Sequence, residues 1–221
     1  AVAATLNDSV NDVLAGIHYL KTRREIDPKH IGVLGHSAGG RIGPIAASRS
    51  VDISFVVMLA GAGITFEQNI FAQRDGILRA GGAPEEAIAR DRAIARMILD
   101  VVKSEQDGKA AADKVRAEWA RTKADFPKSQ GNVEMSDGYV ERLLTAFNTV
   151  EVRSALNSDP TETLRQLTVP VLALNGSRDL QVVPQRNLSA IASALSNGGN
   201  PDFTVSVIPG LNHLFQTCKD C

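Results

Sequence analysis

The sequence predicts an α/β fold in which a parallel sheet carries helices on both faces. Short apolar runs of strand length recur along the chain, and segments with the apolar spacing of helices separate them. A pentapeptide with glycine at each end and serine at its centre stands where the first strand gives way to a helix rich in small residues. Strands that alternate with helices are typical of parallel sheets with right-handed crossovers.

Apolar residues at helical spacing predict an amphipathic helix over residues 4–22, and Asp27-Pro28 then turns the chain into a first strand. Helices are also predicted directly after Ser37 and over residues 187–195. The four predicted strands are residues 31–34, 55–59, 169–174 and 203–208.

A long segment between the second and third strands breaks the alternation. Residues 65–160 contain no convincing strand and carry apolar stripes at helical spacing. Because sheet patterning returns on both sides, we interpret this segment as a helical lid inserted into a core made of residues 1–64 and 161–221. A separate helical domain is the alternative interpretation.

Composition excludes several classes of function. The 221 residues carry a formal net charge of −1, which argues against nucleic acid or an anionic membrane as the main partner. No apolar run reaches the roughly 18 residues of a transmembrane helix, so we expect a soluble protein, with a cytoplasmic or an exported location left open. The two cysteines, Cys218 and Cys221, lack further zinc ligands nearby and are interpreted as incidental thiols.

The pentapeptide Gly35-His36-Ser37-Ala38-Gly39 is typical of a serine nucleophile at a sharp strand-to-helix turn. A serine hydroxyl is a poor nucleophile, so it must be held in the open where a histidine can reach it. Glycines two residues before and after the serine are expected to give the turn room. The following helix points its N-terminal N–H groups at the site and favours a developing oxyanion.

A serine nucleophile needs a base, and the base needs an orienting carboxylate. Of the four histidines, only His213 follows the pentapeptide, and it lies in a turn just past the last strand. Asp179 is the only carboxylate in the turn after the third strand. The alternatives are a structural role for His213 and a turn cap at Asp179. His36 is too close to Ser37 in the chain to accept its proton in good geometry, so we expect it to line the substrate pocket.

Three segments together resemble the α/β-hydrolase superfamily, and they are residues 35–40, 171–179 and 209–215. Within it, the chain is similar to the bacterial esterases of the serine aminopeptidase-like and prolyl-oligopeptidase-like group, which carry a helical lid at the same place. The resemblance implies a triad of Ser37 as nucleophile, His213 as base and Asp179 as orienting acid, with the N–H of Ala38 in the oxyanion hole. The sequence holds no metal-ligand cluster or phosphate-binding glycine loop, so we expect no cofactor.

The chain departs from the superfamily in one respect. Members have several strands before the one that carries the nucleophile, whereas only a helix is predicted there in this chain. The loop that supplies the second oxyanion donor is therefore not found, and the nucleophile strand is expected to have an open edge. We expect the chain to be a fragment of a larger hydrolase, or to take the missing strands from a partner chain.

Three functions are compatible with these residues. The first is hydrolysis of short or medium acyl esters through an acyl-enzyme, with thioesters and lysophospholipid-like substrates left open as further members of the class. The second is cleavage of peptides or amides by the same triad. The third is a non-catalytic member of the fold that binds a ligand or partner, because its oxyanion hole is incomplete.

Overall fold

The structure is a computed structural model that describes residues 4–126, 129–130 and 133–218. Its first half contains α1 (Leu6–Lys21), β1 (Val33–His36), α2 (Gly39–Arg49), β2 (Val56–Leu59), α3 (Phe66–Ala80), α4 (Glu85–Ser104) and α5 (Gly108–Thr122). Its second half contains β3 (Ser129–Gln130), β4 (Val133–Glu134), α6 (Asp137–Phe147), α7 (Val150–Leu156), α8 (Pro160–Arg165), β5 (Val171–Gly176), α9 (Pro184–Asn197) and β6 (Phe203–Ile208).

The main sheet has four strands in the order β1-β2-β5-β6, and all three pairings are parallel. One row of the register joins Gly35, Met58, Ala173 and Val205. The predicted α/β fold with a parallel sheet is therefore confirmed. Because parallel strands end at the same edge, the loops that follow β1, β5 and β6 all lie at that edge of the sheet.

Helix α1 begins at a capping box that also forms one wall of the cavity described below. The Thr5 hydroxyl accepts from the amide of Asp8 at 3.1 Å, and the Asp8 carboxylate accepts from the amide of Thr5 at 2.8 Å. These two hydrogen bonds satisfy amides that a helix start leaves without partners. The prediction of a helix over residues 4–22 agrees with this element.

The helices that contact the sheet lie on one of its faces. Helices α2 and α9 share a hydrophobic cluster with α1, α8 and the inward residues of the strands. The side chains that alternate with those residues lie outside the cluster, and Leu34 of β1 is 66% exposed. Helices were expected on both faces, and within the described residues the second layer is not present. In the part of the chain that the structure describes, the sheet therefore presents an apolar and partly exposed second face, and one edge of β1 pairs with no strand.

Helices α3 to α6 build a second hydrophobic cluster of their own, around Ile94, Ile98, Leu99 and Trp119. The apolar stripes of the sequence supply it, because residues three and four apart share one face of a helix. The expectation that residues 65–160 hold no strand is wrong in one detail, since β3 and β4 form a short antiparallel pair. Each of these strands has two residues, which is too short to leave an alternating pattern.

A charged group lies inside this second cluster. Asp91 is fully buried and accepts two hydrogen bonds from Arg74, at 2.9 and 2.5 Å, and a third from the hydroxyl of Tyr139. Burial opposes the charge of Arg74, but the hydrogen bonds and the charge of Asp91 raise the pKa of Arg74 above its ordinary value. Burial and the bond to Asp91 also raise the pKa of Tyr139.

None of the helices in the described part of the chain is long and apolar enough to span a bilayer.

Candidate active site

Ser37 stands at the C-terminal end of β1 in a left-handed backbone conformation, with a φ of 55°. Its own amide donates to the carbonyl of Leu59 at 2.9 Å, and its carbonyl accepts from the amide of Gly40 at 3.0 Å. A non-glycine residue with positive φ is strained, and such strain is held in place by hydrogen bonds of this kind. The turn therefore projects the Ser37 side chain away from the sheet edge.

Two glycines of this turn are required by close approach. A Cβ at Gly35 would lie 2.0 Å from the carbonyl oxygen of Gly39, and one at Gly40 would lie 2.6 Å from the Cα of Gly61. A Cβ at Gly39 would meet nothing within 4 Å. The sequence analysis expected glycines two residues before and two residues after Ser37 to provide room. The expectation holds before the serine, whereas after it the tight position is Gly40, where α2 crosses the end of β2.

The structure brings Ser37, His213 and Asp179 into one chain of hydrogen bonds. The Nε2 of His213 lies 2.9 Å from the Oγ of Ser37, and its Nδ1 lies 2.8 Å from Oδ2 of Asp179. Because a carboxylate accepts, the ring proton sits on Nδ1, which leaves Nε2 to accept from the Ser37 hydroxyl. These three residues come from the loops after β1, β5 and β6, as the sequence analysis predicted.

The Asp179 carboxylate is 2% exposed and is fixed by its own turn. Its Oδ1 accepts from the amides of Gln181 and Val182, at 2.8 and 2.9 Å. The Asn175 side chain, at the end of β5, donates to the carbonyl of Val182 at 2.5 Å and closes the loop. The turn-cap interpretation of Asp179 is therefore also satisfied, since one oxygen caps the turn while the other faces the imidazole.

His36 contacts the loop that carries His213. Its Nε2 donates to the carbonyl oxygen of His213 at 2.7 Å, and the two rings lie 4.8 Å apart. The Asn212 side chain accepts from the amides of Leu214 and Gln216, at 3.0 and 3.1 Å, which holds the same loop from the other side. His36 is thus an anchor of the histidine loop, whereas the sequence analysis expected it in the substrate pocket.

The disulfide state of the C-terminal segment corrects one expectation. Cys218 is disulfide-bonded, so it is not the incidental free thiol that the sequence analysis expected. The other cysteine of the chain, Cys221, lies outside the described residues.

A family model matches residues 14–146, which is more than half of the chain and includes Ser37. Its description is BAAT / acyl-CoA thioester hydrolase C terminal. The chain belongs to this family. Asp179 and His213 lie beyond the matched range. A search of curated proteins found no match.

Three solved structures share the fold of this thioester hydrolase family member. One, from Mycobacterium tuberculosis, carries the name non-heme bromoperoxidase and is 22% identical over 97% of this chain and 69% of its own, with a TM-score of 0.51. A puromycin-hydrolyzing peptidase from the same species is 16% identical over 94% of this chain and 22% of its own, with a TM-score of 0.53. A 2,6-dihydroxy-pseudo-oxynicotine hydrolase is 16% identical over 96% and 42%, with a TM-score of 0.50.

At these identities the likeness shows the fold alone. The α/β-hydrolase fold predicted from three motifs is confirmed. The family model also identifies which family of this fold the chain belongs to. The family member described here spans less than half the length of two of the three structures.

The backbone N–H of Ala38 lies directly after Ser37, at the start of α2. Ala38 immediately precedes α2, has a helical backbone conformation and lines the cavity next to Ser37. Its amide has no hydrogen-bond partner among the described residues. A free N–H at a helix N-terminus attracts negative charge, because the helix dipole adds to the local donor.

A cavity of about 390 Å³ opens over Ser37 between the sheet edge and the helices of residues 65–160. Its lining includes Ser37, Arg41, Phe66, Asn69, Gln73 and Glu151. His36 is not among the lining residues. The volume is in the range of small-molecule sites.

Sequence reasoning missed the polar residues of this cavity. Arg41 lies four residues after Ser37, in the first turn of the helix that follows it, and that spacing is the one signal that could have placed it near the serine. Asn69, Gln73 and Glu151 come from α3 and α7, and no pattern in the sequence tells which face of those helices turns toward the sheet.

Proposed function

We propose that this protein is a serine hydrolase that cleaves carboxylic esters, thioesters included, through an acyl-enzyme. The observation that carries the proposal is the unbroken hydrogen-bond chain from Ser37 through His213 to Asp179, at 2.9 and 2.8 Å. Separations of this size are those of a nucleophile, its base and the group that orients the base.

In the acylation step, the Oγ of Ser37 attacks the carbonyl carbon while Nε2 of His213 takes the hydroxyl proton. The carbonyl oxygen becomes an oxyanion, to which Ala38 donates its N–H. The tetrahedral intermediate collapses, the bond to the alcohol or thiol breaks, and His213 returns the proton to that leaving group. Asp179 keeps the imidazole in the reactive tautomer and stabilises its charged form.

In the deacylation step, water attacks the acyl-enzyme and His213 again takes a proton. The Ser37 ester bond breaks, the serine regains its proton and a carboxylic acid leaves. Removing one oxyanion donor from a hydrolase lowers kcat by about 10² to 10³. With the N–H of Ala38 as the single oxyanion donor in this proposal, we expect a lower kcat than that of a site with two donors.

The description of the matching family supports thioesters as one substrate class, since it refers to acyl-CoA thioester hydrolases. Thioesters and oxygen esters pass through the same acyl-enzyme, so one triad serves both. Peptide or amide cleavage is the alternative with the same residues, and it demands more from protonation of the leaving amine by His213. A non-catalytic binding protein is the third option.

Residues 65–160 are the lid in this proposal, and residues 1–64 and 161–221 are the core. The support is the position of the cavity, which takes Ser37 from the core and Phe66, Asn69 and Glu151 from the helices above it. A lid of this kind excludes water from the acyl-enzyme and shapes the pocket for the acyl group.

The open edge of β1 is also part of the proposal. Leu34 is 66% exposed beside an unpaired strand edge, and exposed apolar edges pair readily with another strand. We propose that a further segment of the hydrolase, or a partner chain, pairs with this edge. Intact mass and native mass of the protein from its source test this point, and a monomer of 221 residues with full activity would contradict it.

The central test is covalent labelling of the chain with a fluorophosphonate, followed by peptide mass spectrometry. We expect the label on Ser37, because its hydroxyl lies 2.9 Å from the Nε2 of His213, which can act as its base. Ser37→Ala should lower hydrolysis of 4-nitrophenyl butyrate by at least about 10⁴-fold. Ser48→Ala is the matched control, because Ser48 lies on the helix that follows Ser37 and its hydroxyl donates to the carbonyl of Ile45.

The outcomes separate the three functions. Turnover of butyryl-CoA and 4-nitrophenyl butyrate without turnover of alanine 4-nitroanilide supports the ester and thioester hydrolase. Turnover of the anilide favours the peptidase. A chain that takes no label, or takes it on Ser9 in the same cavity, contradicts the role of Ser37 and leaves the binding protein.

A further inference from the structure

Arg41 is a buried cation that has no counter-charge among the residues that the structure describes. Its side chain is 6% exposed, and neither a hydrogen bond nor an ion pair joins it to any described residue. Its Nη2 is buried and unsatisfied. Arg74 is also mostly buried, but it is paired with Asp91. Burial of a charge is costly unless a counter-charge is present, so the isolation of Arg41 needs an explanation.

Arg41 lies in the candidate active site. It follows Ser37 by four residues, stands in the first turn of α2 and lines the cavity over the serine. Its guanidinium carbon lies 5.1 Å from the ring centre of Phe66, which lines the same cavity from α3. A molecule with its carbonyl at Ser37 therefore shares the cavity with Arg41 and Phe66.

No carboxylate of the described cavity lining forms an ion pair with Arg41. Among the described lining residues, Arg41 is the one cation and Glu151 is the one carboxylate. Glu151 is exposed on the first turn of α7, and the two side chains do not form an ion pair. The other polar side chains of the lining are neutral amides and hydroxyls. Burial lowers the pKa of Arg41 to about 10, so the guanidinium stays protonated at neutral pH and lacks only its counter-charge.

We infer that Arg41 binds a carboxylate carried by the substrate, which makes this site selective for anionic acyl esters or thioesters. This inference rests on the proposed function, because it places the substrate in the cavity over Ser37. A guanidinium binds a carboxylate through two parallel hydrogen bonds. One guanidinium balances one carboxylate, whereas a phosphate dianion would leave excess negative charge in a cavity that already holds Glu151.

The test measures binding without turnover, in the Ser37→Ala chain, by ligand-observed NMR titration. Two matched pairs of esters replace one methyl group by a carboxylate. Monomethyl adipate and methyl hexanoate carry the change on the acyl side, and 4-acetoxybutanoate and butyl acetate carry it on the alcohol side. We expect the carboxylate to tighten binding by about tenfold or more in at least one pair.

Substitution of Arg41 decides the source of that preference. Arg41→Gln should remove it, Arg41→Lys should retain part of it, and Glu151→Gln should increase it, because a competing negative charge is lost. Arg49→Gln, on the same helix but exposed and bonded to Asn7, is the matched control and should leave the preference unchanged. Should Arg41→Gln fail to fold, protection of Arg41 from phenylglyoxal by monomethyl adipate gives the same information in the Ser37→Ala chain.

Three results overturn the inference. They are the absence of a preference in both pairs, a preference that survives Arg41→Gln, and inorganic phosphate binding more tightly than either anionic ester. In the first two cases, Arg41 serves to hold Phe66 and the lid. Turnover by the intact chain reports separately on Ser37, so the proposed function and the role of Arg41 can fail independently.

Discussion

Two buried aspartates, one in the loop after β5 and one among the helices of residues 65–160, are stabilised in different ways. Asp91 is fully buried and accepts from the permanent cation Arg74 and from Tyr139. Asp179 is 2% exposed and accepts from two backbone amides and from the imidazole of His213.

The partner decides what a buried carboxylate does. Each ion loses several kcal/mol of hydration on burial, and each site must return that energy through bonds. Arg74 uses its nitrogens within the cluster, so the pair holds the helices together and leaves nothing reactive. His213 binds Asp179 through Nδ1, and its Nε2 faces Ser37. The buried Asp179 carboxylate therefore orients an imidazole that still has a free acceptor for the serine hydroxyl.

The largest expected effect is at Asp179, where substitution should lower kcat without unfolding the protein. Asp179→Asn removes the acceptor that fixes the His213 tautomer, and we expect kcat for ester hydrolysis to fall by about 10⁴. The amides of Gln181 and Val182 keep a carbonyl acceptor, so the folded structure should persist. Steady-state kinetics and circular dichroism measure the two effects. Asp202→Asn is the control, and a loss of less than tenfold at Asp179 would contradict its role.

The second effect is at Asp91, where substitution should lower the stability of the fold without removing a catalytic group. Asp91→Ala leaves the Arg74 charge buried and unpaired, and we expect the free energy of unfolding to fall by about 3–5 kcal/mol. Urea denaturation measures it. The double variant Arg74→Met and Asp91→Leu should recover most of the loss, because it leaves no charge behind. Equal stability of the single and double variants would show that the pair is not the cause.

The smallest effect concerns the turn at Ser37, where the close approach of Gly35 to the backbone is tested by its effect on stability. Gly35→Ala places a Cβ 2.0 Å from the Gly39 carbonyl oxygen, so the backbone must move, and we expect a loss of about 1–3 kcal/mol. Gly39→Ala is the matched control, since its Cβ meets nothing, and it should raise stability by about 0.5–1 kcal/mol. Thermal denaturation of both variants measures the difference. Similar losses at the two glycines would contradict the close approach.

The parts of the site that the sequence predicts are those specified by local patterns at strand ends. Ser37, Asp179 and His213 each follow a recognisable apolar strand, and parallel strands end at one edge, so their meeting could be expected. Arg41 and Glu151 could not be placed, because their positions depend on how helices rotate over the sheet. The role of His36 was missed for a related reason, since its hydrogen bond joins residues 177 positions apart.

The hydrogen bond from His36 to the His213 carbonyl has a mechanical consequence. Ser37 directly follows β1, which among the described strands is paired on one side only, and such a strand is more easily displaced than one held on both sides. His36, next to Ser37, is hydrogen-bonded to the loop that carries His213, so a displacement of the strand end also moves the imidazole. The distance between hydroxyl and imidazole is thus buffered against movement of the strand that bears the serine.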